Sequence, residues 1–315
     1  LNILGATTLV TTGQGATIDL TTTTNAFTGE LLITTNDNNT PADGTYAAHA
    51  SIDGGTTNLI IGTSTIDGNL TLLSGGTITD TASSTVTVKG DLNATTDANN
   101  SDITLDGLEV GGAYILNPHG TGVVTIVNAA GIDFVEMTVD GALSATATTG
   151  NITQSGALTI TGTTTLVTSA DNATITLNDA GNAFTGKLLI TTNDTGSETD
   201  GDVEIDGGTT NLILGASTID GDLTLRSGGT ITDDGIATVR GTLTATTDQS
   251  DKIITLDELA VTGAFTLAPD GTGAVTIVNA AGLNLAASTM GGTFSGTATT
   301  GNISDSGTLA ITGTT

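Results

Sequence analysis

Apolar residues alternate with Thr and other small polar residues in short runs along the whole chain, as in LTITG at 158–162, ATITL at 173–177 and TVTV at 85–88. A period of two places successive side chains on opposite faces of a strand, and the β-branched residues in these runs favour extended backbone. Gly, Asn and Asp separate the runs, where a corner needs positive φ or a side chain that hydrogen-bonds its own backbone. No stretch carries a helical stripe. The pattern predicts an all-β chain of short strands with no helices.

The alternation recurs at long range. Residues 54–80, GGTTNLIIGTSTIDGNLTLLSGGTITD, return as 207–233 with only four differences, and NAFTGELLITTND at 25–37 returns as NAFTGKLLITTND at 182–194. Leu1 corresponds to Leu158 and then to Leu309, a spacing of 157 and then 151 residues. The expected division is therefore a first repeat unit at 1–157, a second at 158–308 and the start of a third at 309–315. On that reading the chain is a piece of a longer array.

Turn-like signals subdivide each unit into six blocks, with starts in the second unit near Leu158, Ala183, Asn211, Ile236, Leu259 and Leu283. Blocks of about 25 residues holding several short strands suit a solenoid in which each block is one coil and neighbouring coils pair in parallel. The expected fold is a right-handed parallel β-helix, a β-solenoid of about 12 coils with six per unit. Quasi-one-dimensional stacking tolerates such repetition, and length changes confined to 194–206 and 233–239 fit loops on a fixed scaffold.

Comparing the two copies assigns directions. A site that holds Leu73 in one copy and Arg226 in the other, or Glu30 and Lys187, cannot be core in both, so these residues point outward. Leu70, Leu72, Leu223 and Leu225 then point inward by strand parity. Asn58 and Asn211, Asn128 and Asn279, and Asn151 and Asn302 are expected at corners, with structural roles.

Composition narrows the function classes. With 33 acidic residues against 5 basic ones, the net charge of -28 leaves no basic patch for nucleic acid or anionic lipid. The acids are scattered, which suits a solvated outer surface. Aromatics are 2 % of the chain and Cys is absent, so neither an aromatic-anchored core nor a disulfide framework is expected, and thiol, zinc-thiolate and iron–sulfur chemistry is excluded. No apolar run reaches the length of a membrane helix, so no membrane insertion is expected in this segment.

Candidate chemistry is sparse. His49 and His119 have no His counterpart in the other copy, where Asp270 stands opposite His119. Asp97, Asp102 and Asp106, mirrored by Asp248, Asp251 and Asp257, are the best oxygen ligands for weak Ca²⁺ binding, yet the spacing is not that of an EF-hand. Sequons at Asn69, Asn93, Asn151 and Asn172 follow from Thr richness alone. Catalytic, cofactor-binding and metal residues are therefore expected to be absent, and the protein is expected not to be an enzyme.

The phrases GNITQSGALTITGTTTL at 150–166, GNISDSGTLAITGTT at 301–315 and DGNLTLLSGGTITD at 67–80 resemble the filamentous-haemagglutinin-type repeats of large bacterial exported adhesins. The resemblance covers the whole chain. It implies a right-handed β-helical shaft on a very long exported protein, often secreted through a dedicated outer-membrane partner, although the amino-terminal secretion domain of that pattern is not in this chain. The expected function is a structural shaft or filament segment of a cell-surface adhesin-like protein. Its expected partners are further repeat units of the same chain, by end-to-end or lateral association, and host or environmental glycans. The alternatives are a β-helical carbohydrate-active enzyme and a glycan- or ice-binding surface module. The expected location is extracellular, at the cell surface.

Overall fold

The computed structural model describes residues 1–36, 47–193 and 200–314, and among them there is no helix. The chain forms two compact units, Leu1–Thr149 and Gly150–Thr315. Each is a parallel β-solenoid, and each is built from two main sheets.

In the first unit, one sheet takes Ile18–Leu20, Ala50–Asp53, Leu70–Ser74, Leu92–Thr96, Ala113–Asn117 and Ile132–Phe134, one strand per coil. The other sheet is supplied by the intervening segments, from Leu31–Thr34 through Ile103–Val110 and Val124–Asn128 to Leu143–Ala147. In the second unit, the first sheet takes eight strands, from Ile152–Gln154 to Ile303–Asp305. Its second sheet includes Lys187–Thr191, Leu212–Ile219, Ile231–Val239, Ile254–Val261, Val275–Asn279 and Phe294–Ala298.

Strand pairs fix the coil length. Leu70 pairs with Leu92, 22 residues on, and Leu92 with Tyr114, again 22 on. Val203 pairs with Leu223 and Leu223 with Leu243, steps of 20. Two steps are longer, 32 residues from Ile18 to Ala50 and 28 from Ile175 to Val203. These two coils carry residues 37–46 and 194–199, which lie outside the described residues. The two units hold about 14 coils, six in the first and eight in the second, with a typical spacing near 21 residues, close to the expected 12 coils of 25. Because the coils are tighter than expected, one sequence repeat holds seven first-sheet strands, those of Ile18, Ala50, Leu70, Leu92, Tyr114, Ile132 and Ile152, before the strand of Ile175 begins the next copy.

Alternation gives each sheet a dry face and a wet one. In the second unit Val203, Leu223, Leu243 and Phe265 stack inward, all buried, while Glu204, Thr224, Thr244 and Thr266 stack outward beside them. Each inward residue removes apolar surface from water at about 25 cal/mol per Å² and touches its equivalents in the coils above and below. Leu70, Leu72, Leu223 and Leu225 are buried, Leu73, Glu30 and Lys187 are half-buried and Arg226 is exposed, as strand parity requires. Five of the seven aromatics are nevertheless core residues. Phe27, Phe134, Phe184, Phe265 and Tyr114 are the largest fully buried side chains, and Tyr114 meets Phe134 edge to face at 6.3 Å. A narrow coil needs a bulky side chain only where its walls diverge, so a low aromatic content still suffices to fill it.

Long second-sheet strands bend. Between Leu188 and Thr191 the chain takes three steps where Leu214 to Thr218 takes four, which is a β-bulge. Ser217 repairs the gap: its Oγ accepts the Ile190 N–H at 3.0 Å and donates to the Gly215 carbonyl at 2.9 Å. Ser64 does the same for Ile33 and Gly62 in the first unit.

Candidate functional site

Recurrent polar side chains in this protein close the backbone within coils and between them. Asp53 and Asp206, both nearly buried, accept the N–H of Gly55 at 2.7 Å and of Gly208 at 2.8 Å. Those glycines have φ of 61° and 58°, and a Cβ at Gly55 would lie 2.1 Å from the Asn25 carbonyl oxygen. Only glycine fits that turn.

A second device uses both oxygens of one carboxylate. Asp80 accepts from Asp106 N at 3.1 Å and Gly107 N at 2.7 Å, and Asp233 accepts from Asp257 N at 3.0 Å and Glu258 N at 2.9 Å. Burial pushes both carboxyls above the usual aspartate range, and the backbone donors only partly offset it. Asp251 is held below that range by the Thr272 hydroxyl and N–H, at 2.6 and 2.8 Å.

Of the six Asp residues singled out as Ca²⁺ ligands, Asp102 and Asp251 each cap a backbone N–H of the next coil. Asp102 accepts Val123 N at 2.7 Å, Asp248 pairs with Arg226, and all six are exposed. Among the described residues no group of three or more His, Asp or Glu side chains is arranged to hold a metal ion. His49 Nδ1 accepts Asn69 N at 2.8 Å, and His119 is exposed on a turn. Asn128 and Asn279 are fully buried corner residues, whereas Asn58 and Asn211 cap exposed strand starts at Thr77 N and Thr230 N. Among the described residues no helix is long and apolar enough to cross a membrane.

The arrangement closest to a binding site is a surface cavity of about 170 Å³ in the second unit, lined by Asn178, Glu204, Asp206, Thr224, Arg226 and Thr246. Arg226 Nε bonds Asp248 Oδ2 at 2.6 Å and lies 3.7 Å from Asp206 Oδ2, which raises the guanidinium pKa further. Asp206 is itself pushed up by burial, against the Gly208 N–H and Arg226. In the first copy Ser51 stands for Glu204 and Leu73 for Arg226, so the cavity's charged character belongs to the second copy. The divergence of Arg226 was legible in the sequence. Glu204, on the neighbouring coil, carried the same signal and was missed.

Outward Thr columns run through the second sheet, Thr232 beside Thr255 and Thr255 beside Thr276, but the positions two residues on are Asp234, Asp257 and Val278. The columns are single file.

Fold and site together define a repeat protein of the parallel β-solenoid class in which most polar chemistry is internal stitching. The chain belongs to the family described as repeats of unknown function (DUF5649), matched over residues 47–117, 121–191, 200–270 and 272–315. No curated protein and no solved structure matches it.

The family repeat is about half of the unit read from the sequence, and it does not contain a whole number of coils. In the first unit Ala50–Asp53 and Leu70–Ser74 lie in the first sheet, while their counterparts one repeat later, Val124–Asn128 and Leu143–Ala147, lie in the second. Leu59–Ile61 moves the other way, to Ile132–Phe134. In the second unit Val203–Asp206 and Leu223–Ser227 similarly reappear as Val275–Asn279 and Phe294–Ala298. One repeat therefore spans three and a half coils, and two repeats restore the phase.

Proposed function

We propose that this chain is a structural segment, a shaft or filament wall, of a long cell-surface protein of the exported-adhesin kind, and that it is not an enzyme. The observation that carries this reading is the use of the recurring polar groups. Asp53 and Asp206, Asp80 and Asp233, Ser64 and Ser217, and Asn128 and Asn279 all bond backbone across or along the coils, leaving a Thr-rich acidic surface. A stack held by nearest-neighbour contacts can be lengthened by adding repeats without new chemistry. High negative charge keeps such a surface soluble and self-repelling.

A second reading rests on the Arg226 cavity, whose carboxylates and Thr hydroxyls suit a hydroxylated ligand such as a glycan. Surface labelling of intact producing cells, together with glycan-binding and hydrolysis screens of the segment, separates the two. The shaft reading expects labelling from outside and silence in both screens. Saturable glycan binding or hydrolysis that is lost in Glu204→Gln or Arg226→Ala would overturn it.

A further inference from the structure

Asp220 follows the strand Leu212–Ile219 and its side chain is 2 % exposed. Its Oδ1 is paired with the Arg240 guanidinium, and its backbone N–H donates to Thr192 Oγ1 at 2.9 Å. Its other oxygen, Oδ2, is buried with no hydrogen-bond donor. The same is true of Oδ1 of Asp200, the residue three before the strand Val203–Asp206, and the two carboxyl groups lie within hydrogen-bonding reach of each other. Asp171, on the coil before, adds a third negative charge facing Asp200, while the Asn172 N–H donates to Asp200. Asp194 and Glu198 lie outside the described residues.

Two covered, orphaned carboxylate oxygens cannot face each other in this half-buried corner without something positive between them. We propose that Asp200 and Asp220 share one proton between Asp200 Oδ1 and Asp220 Oδ2, making this corner of the second unit a pH-sensitive clasp between adjacent coils. With the proton in place the pair carries one negative charge, which Arg240 balances. When it leaves, Asp200 and Asp220 repel each other, Asp171 adds to the repulsion, and Asp200 swings out. The first copy keeps the ion pair, Asp67 with Lys89 at 2.7 Å, but has Ala47 where Asp200 stands, so the clasp is particular to the second copy.

The direction of the effect follows from proton linkage. Burial first, then Asp171 and Asp220, raise the Asp200 carboxyl above its ordinary value of 3.8. A carboxyl raised in the folded state contributes stability that is fully present below the unfolded value and is lost as pH rises through the folded one.

The test is a carboxyl ¹³C NMR titration of the whole chain with amide exchange, corrected for intrinsic rates, at residues 200–203 and 220–223. The expected result is one proton retained above the ordinary aspartate range, with exchange at both segments accelerating as it is lost. Asp200→Asn, which supplies a fixed N–H donor to Asp220 Oδ2, is expected to abolish that acceleration and slow exchange at neutral pH. Asp200→Ala, matching Ala47, is expected to abolish it while leaving the Arg240 pair. Ordinary titration of both carboxyls, or an unchanged pH profile in Asp200→Asn, would overturn the proposal. So would protection of the wild type, but not of Asp200→Asn, by added CaCl₂ at neutral pH, since a cation would then occupy the proton's place.

Discussion

Asn128 Oδ1 accepts the Val110 N–H at 2.8 Å, and its Nδ2 donates to the Val110 carbonyl at 3.1 Å. The strand Ile103–Val110 takes three steps from Leu105 to Leu108 where its neighbour takes two from Ile126 to Asn128. The neighbour therefore ends early, and the amide side chain completes the ladder as a backbone peptide would. Asn279 repeats both bonds with Val261, at 2.8 and 2.9 Å.

Replacing Asn128 or Asn279 with Ala leaves a buried N–H and carbonyl without partners, a cost of roughly 2–4 kcal/mol. Denaturant unfolding of each single variant should show losses of similar size. Asn→Asp should also destabilise, because it loses the donor to Val110 or Val261.

Tyr114 gives the opposite expectation. Its hydroxyl is buried without a partner, and burial pushes its pKa far above the usual range. Phe265 holds the equivalent place in the second copy. Tyr114→Phe should therefore be stabilising, by about 1 kcal/mol, as read by the shift in the unfolding midpoint.

Much of this architecture was legible in the sequence, because period-two alternation reports strand faces directly. Leu72 and Leu73 fell on the correct sides for that reason. Coil length was less legible. Starts placed at Asn211, Ile236, Leu259 and Leu283 slide around the coil: Asn211 precedes the strand Leu212–Ile219, Ile236 lies within Ile231–Val239, Leu259 is near the end of Ile254–Val261, and Leu283 is in the other sheet. A count of about 25 drifts a few residues per coil against a true step of 20–22 here, and the drift absorbs one coil per unit. Strands that bend at a bulge, as at Gly215, give no cluster of turn residues to mark the corner. The half-unit repeat was hidden for a related reason, since its copies lie in opposite sheets and share pattern more than identity. Asp200 and Asp220 were overlooked because the sequence does not show which acids a corner buries together.

The buried carboxylates also set the response to pH. Asp80, Asp200, Asp206 and Asp233 are raised by burial, so their contribution is complete below the ordinary carboxylate range and is lost as pH rises through their folded values. Asp251 is lowered, and its contribution is instead lost as pH falls. Four raised groups and a net charge of -28 outweigh one lowered group, so the unfolding temperature should rise as pH is lowered from 8 toward the upper edge of the ordinary carboxylate range, and salt should narrow the difference. A steady fall in unfolding temperature from pH 8 to pH 5 would contradict this.

The central claim is that coils stack in parallel with the register given by the strand pairs, and the absence of Cys makes that register open to a clean measurement. Thr244 and Thr266 are direct partners on the outer face, 22 residues apart. Cα atoms of such partners lie about 4.8 Å apart, within the range of a disulfide. Oxidising the double variant Thr244→Cys with Thr266→Cys should form an intramolecular disulfide in nearly all molecules, while Thr244→Cys with Ala268→Cys should remain largely reduced. Preferential cross-linking of the second pair, or equal cross-linking of both, would contradict the stacking on which the account rests.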